Sequence, residues 1–105
     1  MISIIMPNYN GERHIEKSIN SFLGLNYSKK ELIIVDGKST DGSHSIIDSY
    51  VDRYPSAIQW YKQSDAGISD AINKGVSLAS GDIIGYLGSD DLLNKETSIN
   101  GVRLD

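Results

Sequence analysis

Residues 81–93 read GDIIGYLGSDDLL, a short apolar run that ends on two adjacent aspartates, Asp90 and Asp91. Its isoleucines stand side by side instead of alternating with polar residues, the pattern of a strand covered on both faces in a parallel sheet. Paired carboxylates repel and are costly to desolvate, so the end of this strand calls for a positive partner. Three more apolar stretches lie upstream: ISIIM at 2–6, ELIIVD at 31–36 and AIQWYK at 57–62. The first two are continuous as well, whereas the third alternates and reads as nearer a sheet edge.

Helical periodicity fills the intervals. Ile15, Ile19, Phe22 and Leu23 make one apolar stripe, Ile46, Ile47, Tyr50, Val51 and Tyr54 a second, and Ile68, Ala71, Ile72, Val76 and Ala79 a third built of smaller residues. Thr40, Asp41 or Ser43 can cap the second helix, Pro55 ends it, and Gly24 and Gly81 punctuate the ends of the first and third. The segment NKETSINGVRLD, with Asn94 as a cap, is read as the start of a fourth helix. Strand and helix therefore alternate, which predicts right-handed crossovers and an α/β fold with a doubly wound, mostly parallel sheet.

Composition narrows the function. The chain has 105 residues, 39% hydrophobic and 23% charged, in the range of one small globular domain. A net charge of -4 without a basic stripe argues against nucleic acid as a partner. With no cysteine, disulfides, thiolate catalysis and zinc–thiolate sites are excluded. The opening apolar run lacks a basic leader and breaks at Pro7, so neither a signal peptide nor an integral membrane segment is expected, and a cytoplasmic chain, at most peripheral to the inner face of the membrane, is the default.

Ligands of open parallel sheets bind beyond the carboxyl ends of the strands. The segments following the four strands are PNYNGE, DGKSTDGS, QSDAG and GSDDLL, which place Asp36, Asp65, Asp90 and Asp91 at that end. Such a cluster suits a magnesium or manganese ion shared with a substrate diphosphate. Tyr9 is placed to lie against a flat ring or to anchor its loop, and the two histidines, His14 and His44, are placed on helices away from the strand ends.

Other motifs fail. GKS at 37–39 mimics the tail of a P-loop, but Leu32 stands where the first glycine is required. No G-x-G-x-x-G occurs, and GISDA at 67–71 has no histidine downstream to complete a hydrolase triad. A phosphoryl receiver domain would carry its acids after the first and third strands, whereas the pair here follows the fourth; a sugar nucleotidyltransferase would need a glycine-rich basic loop in place of PNYNGE.

Taken together, SIIMPNYNGERHIEKSINSF (3–22), ELIIVDGKSTDGS (31–43) and DAGISDAINKGVSLASGDIIGYLGSDDLL (65–93) resemble the family 2 glycosyltransferases of the GT-A fold, especially bacterial enzymes of polysaccharide and cell-surface glycan synthesis. The resemblance implies a metal-dependent, inverting transfer of sugar from a nucleotide-diphosphate donor, with a UDP-sugar favoured, to a glycan or lipid-linked acceptor. It implies that Pro7, Asn8, Tyr9 and Glu12 hold the base, that Asp36 reaches it, that Asp65 and Asn73 line the donor pocket, that Asp90 lies near the ribose and diphosphate, and that Asp91, with Asp90, holds Mg2+ or Mn2+. Two positions depart from the family pattern: Gly88 stands where relatives often carry Asn or Asp, and Lys38 where a small residue is common. The family fold runs to about 200 residues or more, so residues 1–105 are expected to be the donor-binding half, truncated before the acceptor-binding half. The general base is then expected outside the chain, no catalytic residue is assigned within it, and it should bind donor with little turnover. The alternative is a non-catalytic nucleotide-binding or interaction module. Apolar surface left uncovered by the absent half makes a homodimer a further expectation.

Overall fold

A computed structural model of the protein describes residues 1–62, 68–87 and 102–104. The elements follow one another as β1 (Ile2–Asn8), α1 (Ile15–Leu23), β2 (Lys30–Asp36), α2 (Ser43–Arg53), β3 (Ile58–Lys62), α3 (Ile68–Leu78), β4 (Ile83–Tyr86) and β5 (Val102–Leu104). They build one sheet in the order β3-β2-β1-β4-β5. The first four strands are parallel, with Ile2 opposite both Lys30 and Ile83, and Asn8 opposite Asp36. The doubly wound, mostly parallel sheet is thus present, and the alternating third strand lies at its edge.

The continuous apolar strands are explained by helices on both faces. Ile2, Ile4, Met6, Leu32, Ile34 and Ile58 pack on one side against Ile15, Ile19 and Phe22 of α1 and Ile47 and Tyr50 of α2. Ile33 and Val35 turn to the other side, towards Leu78 and the adjoining Ala79. Phe22 and most of these isoleucines are completely enclosed, and burying each contributes about 1.5–3 kcal/mol relative to leaving it exposed. Lys30 closes α1 by donating to the carbonyls of Phe22, Leu23 and Leu25 at 3.1, 2.9 and 2.9 Å. The Phe22 carbonyl also accepts from the Leu25 amide at 3.1 Å, and Lys30 supplies a donor to the carbonyls that a helix end leaves short of partners; burial lowers the pKa of the Lys30 ammonium from its ordinary value.

Three local expectations need correction. Tyr54 is 37% exposed because α2 stops at Arg53, whose guanidinium covers the rings of both Tyr50 and Tyr54. Val76 is also 37% exposed. The inward face of α3 is set by Gly75, which lies so close to Ile5 that a Cβ there would collide with the Ile5 side chain, and Val76 is turned about 100° away from it. At the C-terminus, Val102–Leu104 forms a strand antiparallel to β4 where helix was expected, pairing Leu104 with Ile83 and so satisfying the outer backbone groups of β4. Asn94, the proposed cap of that helix, lies outside the described residues.

The chain moves from β1 to β2 and β3 in one direction, then places β4 on the far side of β1. The order therefore reverses between β1 and β4, and the crevice at the carboxyl ends of those strands is where such a sheet receives ligands.

Candidate functional site

At that rim the loops after β1 and β2 are joined by side chains. Gly37 N–H donates to the Asn8 carbonyl at 2.8 Å, extending the pairing of the two strands by one step. Beyond it, Ser39 is the hub: its hydroxyl donates to Asp36 Oδ1 (2.6 Å) and accepts from Asn8 Nδ2 (3.2 Å) and from the Asn10 amide (2.8 Å). Asn10 Oδ1 accepts from the Thr40 amide at 2.7 Å. Further out, the Glu12 amide donates to Asp41 Oδ2 (3.0 Å), while Glu12 Oε1 accepts from the amide of Gly42, the N-cap of α2 (3.0 Å). Two turns in the left-handed region, Asn10 at φ 52° and Lys38 at φ 64°, let the loops run alongside each other.

Asp36 sits beneath this lattice with no exposed surface. Oδ1 accepts from Asn8 Nδ2 (2.8 Å) as well as from the Ser39 hydroxyl, and Oδ2 from the Ser39 amide (2.8 Å) and from His44 Nε2 (2.8 Å). Burial pushes its pKa up, but the bonds from Ser39, Asn8 and His44 outweigh that and hold the carboxyl below its ordinary value. Asp36 is therefore an anion with all four acceptor positions filled from inside the protein. Asp41 is lowered too: a desolvation effect that raises it is exceeded by hydrogen bonds from Ser43 and the Glu12 amide. It takes the Ser43 amide at 2.9 Å, so Asp41 and Glu12 both place negative charge at the start of α2. The cap position belongs to Gly42, where a Cβ would stand 2.5 Å from Glu12 Oε2.

The residues expected at the donor site divide as follows. Asn8 is buried at the tip of β1 and its Oδ1 has no partner among the described residues. Pro7 is half-buried beside Val35. Tyr9 is 65% exposed, between the anchored Asn8 and Asn10. Glu12 is exposed but committed to α2. Asp36 is at the expected rim, yet in this arrangement it offers no free oxygen to a ligand. Asn73 is exposed in the middle of α3 and is not joined to the cluster. Asp65, Asp90 and Asp91 lie outside the described residues. β4 itself ends on this rim, where the Leu87 amide donates to the Ile5 carbonyl at 2.9 Å. Among the described residues no group of three or more His, Cys, Asp or Glu could hold a metal ion.

Sequence reasoning missed Ser39, Asn10 and His44. The placement of both histidines away from the strand ends is wrong for His44, which begins α2 and reaches back to the end of β2. The spacing Asp36-x-x-Ser39, an acid bonding to backbone a few residues on, was the available signal.

Glycosyl transferase family 2 is matched by its family model over residues 3–102, and the chain belongs to that family. It is 36% identical over 91 residues to an uncharacterized glycosyltransferase of Nostoc sp., covering 87% of this chain and 28% of the relative. It is 35% identical over 100 residues to the minor teichoic acid biosynthesis protein GgaB of Bacillus subtilis, covering 93% of this chain and 11% of GgaB. Among solved structures, S. aureus TarS 1–349 in complex with UDP-GlcNAc superposes with a TM-score of 0.83 at 28% identity, over 94% of this chain and 29% of that one. The mannosyltransferase PcManGT of Pyrobaculum calidifontis, in complex with GDP-Man and Mn2+, shares the fold with a TM-score of 0.84 at 23% identity, over 95% of this chain and 30% of that one. The chain spans well under half the length of the curated relatives it matches. Among the described residues, no helix is long and apolar enough to cross a membrane.

Proposed function

We propose that residues 1–105 form the donor-binding half of a metal-dependent glycosyltransferase that moves sugar from a nucleoside diphosphate, a UDP-sugar in the first instance, to a glycan or lipid-linked acceptor of a surface polysaccharide. One observation carries the reading: at the carboxyl end of β1, the strand that borders the point where strand order reverses, Asn8 and Asn10 are both bonded to Ser39, and Tyr9 stands exposed between them. An exposed aromatic face on a ligand-binding rim suits a planar base. The likeness to TarS with UDP-GlcNAc and to a teichoic acid biosynthesis protein supports the choice of donor and product class.

In this reading Tyr9 packs on the base, Pro7 and Asn8 shape its floor, and Asp36 acts from below by holding Asn8 and Ser39. Glu12, Asp36 and Asp41 are each engaged by protein donors; the family resemblance assigns Mg2+ or Mn2+ to Asp91, with Asp90, at the end of the strand segment quoted first. When bound, such an ion stabilises negative charge on the departing nucleoside diphosphate. Transfer is inverting: the acceptor oxygen bonds to the anomeric carbon as the bond to phosphate breaks, and a carboxylate outside these residues takes the hydroxyl proton.

Calorimetric titration of UDP, with and without Mn2+, tests this reading. Binding strengthened by the metal and weakened about tenfold or more in Asp91→Asn, the loss of at least one charge-assisted contact, is the expected result. Absence of binding by UDP, GDP and dTDP alike would overturn it, and metal-independent binding unchanged in Asp91→Asn would remove the ion.

A further inference from the structure

We propose that His44 is a positioning residue of the donor rim: through Asp36 it fixes the Ser39 hub and thereby the loop that presents Tyr9. The inference rests on the nucleotide-binding reading only for the identity of the ligand; the clamp itself is a property of the free protein.

Asp36 is enclosed and receives four hydrogen bonds. Three come from Asn8 and Ser39, which belong to the strand end and loop that the carboxylate organises. The fourth, from His44 Nε2 at 2.8 Å, is the one described bond that ties the carboxylate to a helix. Because Asp36 is ionised and can only accept, Nε2 carries the proton in this contact.

The ring is itself held. It packs edge-to-face with Trp60, centroids 5.3 Å apart and planes inclined at 62°, a favourable aromatic geometry. Trp60 is anchored on β3 opposite Ile34, and Lys62, opposite Asp36 in the same register, lies 4.6 Å above the indole. A continuous path therefore runs from the edge strand through Trp60 and His44 to Asp36, and on through Ser39 to Asn8 and Asn10 on either side of Tyr9.

Without the imidazole, Asp36 Oδ2 keeps a single donor, the Ser39 amide three residues away in its own loop. The carboxylate can then turn about its last torsion, and both Ser39 and Asn8 lose the fixed acceptor that orients them. A buried anion short of a donor either draws in water or moves, and in both cases the spacing of the two loops changes. Among the described residues the Tyr9 side chain has no bond in this network, so the network acts on it through the backbone of Asn8 and Asn10.

Amide hydrogen exchange on the isotopically labelled chain, compared among wild type, His44→Ala and His44→Gln, reads the clamp without any ligand. In His44→Ala the Ser39 and Asn10 amides should exchange about tenfold faster, the effect of losing one hydrogen bond to a charged group, while Ile4 and Ile33 in the sheet stay as in wild type. His44→Gln, whose amide nitrogen can take the place of Nε2, should restore most of the protection. UDP affinity, measured on the same three proteins, should fall and recover in step. Wild-type exchange at Ser39 and Asn10 in His44→Ala would overturn the proposal, and so would a folded His44→Gln that rescues neither readout, since packing against Trp60 would then be the whole role. Loss of protection in His44→Ala with rescue by His44→Gln, in a wild type that binds no nucleotide, would uphold the clamp and refute the donor reading.

Discussion

Strand β2 carries a buried carboxylate at each end, and the two are held in different ways. Glu31, at the start of the strand, is 5% exposed and faces the α3 side; it accepts from the Ser3 hydroxyl at 2.6 Å, the Gln59 amide group at 3.0 Å and the Ser80 backbone amide at 2.7 Å. Ser3 passes the connection on by accepting from the Gly81 amide at 2.8 Å. These bonds join β1, β2, β3 and the turn before β4, segments far apart in sequence. Asp36, at the finish of the strand, faces α1 and α2 and gathers its donors from the end of β1, the loop that follows β2 and the first turn of α2. Ligands of open parallel sheets meet the carboxyl ends of the strands. The same chemistry, an enclosed anion surrounded by donors, ties the sheet together at one end and shapes a surface at the other.

The largest effect should come from breaking the two ends separately. Asp36→Ala leaves several buried donors without an acceptor and should cost about 3–5 kcal/mol by urea denaturation, with nucleotide binding lost in whatever remains folded. Glu31→Ala should cost about 2–3 kcal/mol and leave the affinity for UDP intact; a loss of affinity equal to that of Asp36→Ala would erase the contrast. Acidification sharpens it. Asp36 titrates below its ordinary value of 3.8 when folded, so its contribution is complete above that pH and disappears as pH falls through the lower, folded-state value. The urea midpoint should therefore drop on acidification below 3.8, and drop less in Asp36→Asn. Glu12→Ala removes the acceptor of the Gly42 amide and should lower stability by about 1 kcal/mol, as a lost helix cap does, measurable as a shift in thermal midpoint. The smallest change is Lys38→Gly: relief of the left-handed backbone at φ 64° should gain about 0.5–1 kcal/mol, with the rim bonds preserved.

Most of the fold was legible because parallel strands covered on both faces leave an unambiguous mark. The runs around Ile4, Ile33 and Ile84 name the central strands, the alternation around Trp60 marks the edge, and the stripes at Ile15–Phe22 and Ile47–Tyr50 face the sheet as periodicity requires. The stripe of α3 was legible in phase, and Ala79 packs on the sheet as expected; its one misplaced member is Val76, because the facing position belongs to Gly75, whose contact with Ile5 could not be known until the strand lay beneath it. Strand β5 was not legible at all. Three residues hold too little pattern, and their state depends on an unpaired edge contributed by β4.

For the site, the sequence alone determined which loops share one end of the sheet, because the residues that follow a parallel strand must appear there whatever their identity. It also determined that they are acidic and polar. Whether a given carboxylate faces a ligand or is enclosed by its own protein was decided only in three dimensions. Asp36 and His44 are eight residues apart, with a loop and the start of a helix between them, and nothing local dictates that an imidazole on α2 turns back to the end of β2. That contact exists because α2 packs across β2 and β3, bringing His44 between Trp60 and Asp36; it is a consequence of packing, which no single stretch of the chain encodes.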